Sequence, residues 1–127
     1  GYEAARQRML SRIAGLGNTI VLTGDEHQNF AGDLVHRDRV VGSEFVATSI
    51  SSGGDGSNLR QGSDVFLANN PEVKFVNDQR GYVTCEVNRE AWRTNYMVMD
   101  RVTVPGGAIS RRATAEVAHG TPGVRMT

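Results

Sequence analysis

"TIVLTGDEHQNF", residues 19–30, is the stretch whose reading decides the fold. Its first five residues are apolar or β-branched, with Ile20, Val21 and Leu22 unbroken. Such a run predicts a strand covered on both faces, as in an α/β sheet. Gly24, Asp25 and His27 follow at once. In extended backbone, residues two apart send their side chains to the same side, so Asp25 and His27 could grip one metal ion or two neighbouring ions. Asn29 continues the alternation and could add an oxygen ligand or orient a water. Ligands of α/β folds gather beyond the carboxyl ends of the strands, where these residues fall. A second reading stands beside this one: Asp25 caps a following helix and His27 is merely solvated. Two ligands are in any case too few, since zinc takes about three or four protein groups and calcium roughly six to eight oxygens.

Upstream, Tyr2, Ala5, Met9, Ile13 and Leu16 recur at three- and four-residue steps with Arg6, Arg8 and Arg12 between them. This predicts an amphipathic helix, stopped by Gly15 and Gly17, that arrives as a crossover from an earlier strand. An opening at Gly1 without an initiator Met suggests a processed product or a fragment. Downstream, Phe30, Leu34 and Val35 suggest a short helix, and residues 44–50 return to strand character. A right-handed parallel strand–helix–strand unit is therefore expected.

The Gly- and Ser-rich "SISSGGDGSN", residues 49–58, predicts an exposed loop, and residues 63–69 a brief helix ended by Asn70 and Pro71. Beyond Val73 the period becomes two. Val83, Cys85 and Val87, then Trp92, Thr94, Tyr96 and Val98 after a turn at 88–90, predict an antiparallel hairpin. Cys85 falls in its apolar-facing set, as a buried small hydrophobe. "VPGGA" at 104–108 breaks the pattern, and residues 113–117 predict a last strand before "HGTPG". No boundary divides the chain, so residues 1–127 are read as a single region.

Composition narrows the function by exclusion. The 127 residues are 39% apolar and 22% charged, the proportions of one ordinary globular domain. Fourteen basic and fourteen acidic residues cancel, leaving no global field to attract nucleic acid or an anionic membrane. No apolar run approaches the roughly 20 residues of a membrane span. With Cys85 alone, an internal disulfide is impossible.

Two further features could carry chemistry. Ser51, Ser52 and Asp55, in the Gly-Ser loop, could bring hydroxyls and backbone N–H groups close to a phosphate, or could belong to a plain flexible loop. Arg80, in "NDQRGY", could present its planar fork to a substrate oxyanion, or be a solvated charge. His36 and His119 read as surface residues. No spacing suggests a Ser-His-Asp or Cys-His arrangement.

Taken together, "VLTGDEHQNFAGDL" at 21–34, "EFVATSISSGGDG" at 44–56, "NPEVKFVNDQRGYVTCEVNREAWRTNYMVMDRVTVPGGAIS" at 70–110 and the closing "GTPG" resemble the C-terminal part of the PhoD-like alkaline phosphatases. The resemblance implies part of a metallophosphoesterase-type α/β sandwich, its parallel portion followed by antiparallel strands. It implies metal-dependent hydrolysis of phosphate monoesters and diesters at alkaline pH, in an enzyme that is exported to the periplasm, cell surface or medium. Asp25 and His27 match the family's Asp-x-His metal ligands, with Asn29 an auxiliary. The implied metals are calcium and iron, with other divalent ions as substitutes. Phe30 stands where many relatives have Trp, and Ser51, Ser52 and Asp55 match a loop that shapes the substrate wall. The family's other ligands have no counterpart here, so the chain resembles the later part of a catalytic domain, expected to be inactive alone. The partners implied are a phosphate ester and the missing N-terminal half. The rival expectation is a non-catalytic interaction module that docks on such a half.

Overall fold

The computed structural model describes residues 2–127; Gly1, at the head of the opening helix pattern, lies outside them. Its elements run α1 (Glu3–Ile13), β1 (Thr19–Thr23), β2 (Asn29–His36), β3 (Arg39–Val46), α2 (Ser63–Asn69), β4 (Val73–Asn77), β5 (Gly81–Val87), β6 (Ala91–Met99), β7 (Ile109–Ala118) and β8 (Arg125–Met126). The first four strands form one sheet in the order β1-β3-β2-β4, and the last four an antiparallel sheet in chain order. The class is mixed α/β, with strand predominant.

β1 and β3 are parallel, as expected, but the connection between them contains a strand where a helix was predicted. Phe30 and Leu34, four residues apart, imitate a helical stripe. In the structure they lie on β2, which pairs antiparallel with both β3 and β4. The turn that allows this is Arg37–Asp38, a two-residue connection with both residues at positive φ, 49° and 61°. Positive φ at both positions matches the right-handed twist of the flanking strands. The sequence lacks the Asn-Gly that usually announces it.

The sheets pack face to face. Ala31 and Phe45 from the first meet Tyr96, Ala115 and Val117 from the second, with the Phe75 and Tyr96 ring centroids 4.8 Å apart. Each large side chain so buried contributes about 1.5–3 kcal/mol. Tyr96 is fully buried, and its hydroxyl donates to the Phe30 carbonyl across the interface. Burial is the main cause pushing its phenol far above the usual value, so it remains a neutral donor. A second core joins Leu10 and Ile13 of α1 to Leu34 and Val41. A β-bulge at Leu34/Val35 breaks the alternation of facing residues there.

Three expectations about burial are corrected. The buried face of α1 is Leu10 and Ile13, while Tyr2, Met9 and Leu16 are exposed, because only the last turns of the helix reach the sheet. β1 is a sheet edge rather than a doubly covered strand, and Leu22 is 53% exposed. Cys85 has the register expected of it, opposite Thr94, yet is exposed; it lies on β5, the edge strand of its sheet. The predicted 63–69 helix and the 81–99 hairpin are present.

Candidate functional site

The ends of β1, β3, β4 and β6 and the beginnings of β2 and β5 meet at one end of the sandwich, as the strand registers require. The β1–β2 loop (24–28), the Gly-Ser loop (47–62), the β4–β5 connection (78–80) and the β6–β7 loop (100–108) all gather there. Every candidate residue read from the sequence therefore lies at this end.

Asp25 and His27 sit in the β1–β2 loop, exposed. The backbone is not extended as the two-residue spacing assumed: both residues are left-handed, with φ of 75° and 56°. That conformation costs roughly 1–2 kcal/mol per residue. Asp and His are among the types that tolerate it best, and such strain concentrates at ligand sites. Glu26, between them, is occupied: its carboxylate accepts from Arg60 at 2.6 Å and Gln28 at 3.1 Å. A hard carboxylate oxygen and an imidazole nitrogen are thus presented to solvent on one short loop; the carboxylate is the kind of donor that suits calcium or iron, and the imidazole the kind that suits iron. They fit as part of a shell. Among the described residues no group of three or more His, Cys, Asp or Glu is gathered closely enough to hold a metal ion.

Asn29 is nearly inaccessible, at 1% exposure. Its carbonyl oxygen accepts from the Thr48 N–H at 3.2 Å, and its amide donates to Asn77 at 3.1 Å and to the Gln79 carbonyl at 3.3 Å. Asn77 passes the network to the Asn58 carbonyl, and Gln79 passes it to the Met99 carbonyl. This buried amide chain joins the root of the metal-candidate loop to the Gly-Ser loop and the far sheet. Asn77 and Gln79 were not singled out from the sequence; their signal was a polar "NDQ" directly after an apolar strand.

Arg80 is 2% exposed, its guanidinium turned into the protein. It donates to the Ser52 carbonyl at 2.8 Å and the Ser49 hydroxyl at 3.4 Å, and pairs with Asp78. Gly53 and Gly56 press against it so closely that a Cβ on either would lie 3.0 Å from its terminal nitrogens. Arg80 thus holds the loop carrying Ser51 and Ser52, both exposed. Asp55 accepts from the Val102 and Thr103 N–H groups at 2.6 and 2.8 Å and from the Thr103 hydroxyl at 2.8 Å. Those bonds, the Val102 N–H foremost, hold its carboxyl below its usual value. Its oxygens therefore tie the Gly-Ser loop to the β6–β7 loop.

Beside the β1–β2 loop lies a 390 Å³ cavity whose lining includes Glu26, Gln28, Phe30, Arg60, Phe66 and Val76. A cavity of 420 Å³ near His36 and Arg37 shares none of these residues; the β2–β3 turn beside it is at the other end of the sandwich.

A two-sheet α/β scaffold presents an exposed carboxylate and an imidazole at its strand ends, an arrangement open to several chemistries. The comparisons with known proteins narrow it. The PhoD-like phosphatase family model matches residues 1–96. Alkaline phosphatase D of Bacillus subtilis (strain 168) is 44% identical over 133 residues, covering 98% of this chain and 23% of that protein. A solved structure described as "Structure of PhoD" superposes with a TM-score of 0.91 at 40% identity, over 99% of this chain and 26% of that one. The chain belongs to the PhoD-like phosphatase family. It spans about a quarter of the length of these relatives.

Proposed function

We propose that this chain supplies one wall of a metal-dependent phosphate-ester hydrolase, with Asp25 and His27 as metal ligands. The observation that carries the reading is the pair of exposed, left-handed Asp25 and His27 at the carboxyl end of β1, in a chain 44% identical to an alkaline phosphatase. Calcium and iron are the proposed metals, phosphate monoesters and diesters the substrates, and an exported compartment the setting. The relatives are long enough to carry the remaining ligands elsewhere, so the chain alone is expected to turn over substrate little or not at all.

Bound metal would polarise the phosphoryl oxygens and lower the pKa of the attacking water. The chain's own residues do the rest by position. The left-handed loop aims Asp25 and His27 outward, and Asn29 fixes the loop's root through Asn77 and Gln79. Ser51, Ser52 and Asp55 shape the facing wall, with the two hydroxyls free to meet a phosphate oxygen. Arg80 serves that wall from beneath.

The test is calorimetric calcium and iron binding to this chain, alone and mixed with a separately made upstream portion of a relative, with 4-nitrophenyl phosphate turnover followed in parallel. Binding and turnover should appear in the mixture and fall at least about a hundredfold in Asp25→Ala and His27→Ala. A demonstrably formed complex with neither would sink the enzyme reading. The open edge of β1 would then favour an interaction module.

A further inference from the structure

We infer that the cavity beside Glu26 is the seat of the ester's organic group, and that it selects an aromatic ring. The inference rests on the proposed hydrolytic reading, because it assigns the part of the substrate that the metal ligands do not touch.

The cavity's floor is apolar. Phe30, on β2, and Phe66, on α2, meet edge to face with ring centroids 5.8 Å apart at 69°, and Val76 of β4 lies beside them. Phe66 remains 40% exposed although it packs on Phe30. Its free surface is the part that a third ring would cover, since aromatic groups prefer such edge-to-face or offset contacts. The rim is polar but self-satisfied: Arg60 and Gln28 both spend donors on Glu26. An uncharged ring can enter over the apolar floor without disturbing that pairing. Size agrees. At 390 Å³ the space exceeds the roughly 150 Å³ that suffices to enclose a benzene ring.

Position links the cavity to the chemistry. Glu26 and Gln28 line it, while Asp25 and His27 alternate with them along the same loop. The metal-candidate residues and two of the cavity-lining residues thus share one short loop, 24–28, so a phosphoryl group held at Asp25 and His27 would carry the rest of its ester along the loop that borders the apolar floor. At the same end of the sandwich the exposed Ser51 and Ser52 of the Gly-Ser loop offer hydroxyls rather than rings. The molecule thus separates a polar wall suited to phosphate from an aromatic floor suited to the alcohol.

The test titrates phenol, phenyl phosphate and methyl phosphate into the isotope-labelled chain in complex with the upstream portion of a relative, with and without calcium, and follows the chain's backbone amide signals. Phenol should shift Gln28, Phe30 and Phe66 without calcium. With calcium, phenyl phosphate should bind about tenfold tighter than methyl phosphate. Phe66→Ala should abolish that preference without weakening methyl phosphate, and Phe66→Tyr, which keeps the ring, should retain it. Phenol shifts elsewhere, or equal affinity for the two esters, would overturn the inference. Should calcium leave the Asp25 and His27 signals unmoved in that complex while phenol still fills the cavity, the hydrolytic reading fails and the aromatic site stands.

Discussion

At the scale of single residues, the Gly-Ser loop owes its shape to what lies beneath it. Arg80 was readable as a cation near a site, but its direction was not, because a guanidinium aimed at a substrate and one aimed at a backbone carbonyl leave the same sequence. The glycines record the difference. Gly54 and Gly56 have nearly the same left-handed backbone, φ of 76° and 73°, so alanine at either costs roughly 1–2 kcal/mol in conformation alone. Their surroundings diverge. A Cβ at Gly54 meets nothing within 4 Å, whereas one at Gly56 would fall 1.9 Å from the Asp78 carbonyl oxygen. Gly54→Ala should therefore lower stability by about that conformational cost, and Gly56→Ala by distinctly more, as Arg80 and Asp78 are forced apart. Urea denaturation of the two variants makes the comparison. Equal losses would mean that the loop is not seated on Arg80 as described.

At the scale of elements, legibility followed periodicity. The β5–β6 hairpin was plain because alternation persists over both strands and a turn divides them. The residue types of Asp25 and His27 were equally plain, though their left-handed backbone was hidden, since spacing cannot report φ. β2 was misread as helix because only its turn could have revealed it, and Arg37–Asp38 is poor turn chemistry: both residues take positive φ without a glycine. The same misfit is a handle on stability. Asp38→Gly removes the steric cost at φ 61°, offset in part by the extra freedom glycine gains in the unfolded chain. A net gain of about 0.5–1 kcal/mol is expected, seen as a rise of a few degrees in Tm. An unchanged or lower Tm would show that the Asp38 side chain holds the turn in some other way.

At the scale of the whole molecule, the two sheets are held together differently at their centre and at the site end. The centre is apolar, with Phe45, Tyr96 and Val117 buried. The site end is polar. Asp55 ties the loop that follows β3 of the first sheet to the loop between β6 and β7 of the second, and Arg112 adds a fork to Asn58, at 2.9 and 2.6 Å. Backbone N–H groups and the Thr103 hydroxyl keep the Asp55 carboxyl easier to ionise when folded than its ordinary 3.8. Its contribution is therefore complete above the unfolded value and disappears as pH falls through the lower folded one. Acidification to below about pH 4 should loosen the site end before the core yields. Amide exchange at Val102 and Thr103 should accelerate while the Tyr96 and Val98 amides stay protected. Asp55→Asn should show the fast exchange at Val102 and Thr103 already at pH 7 and lose its dependence on acid, because the amide has one acceptor oxygen and no charge to titrate. If site and core amides instead open together in the native protein as pH falls, the two ends of the sandwich are one cooperative unit, and the Asp55 tie does not govern the loops that frame Asp25 and His27.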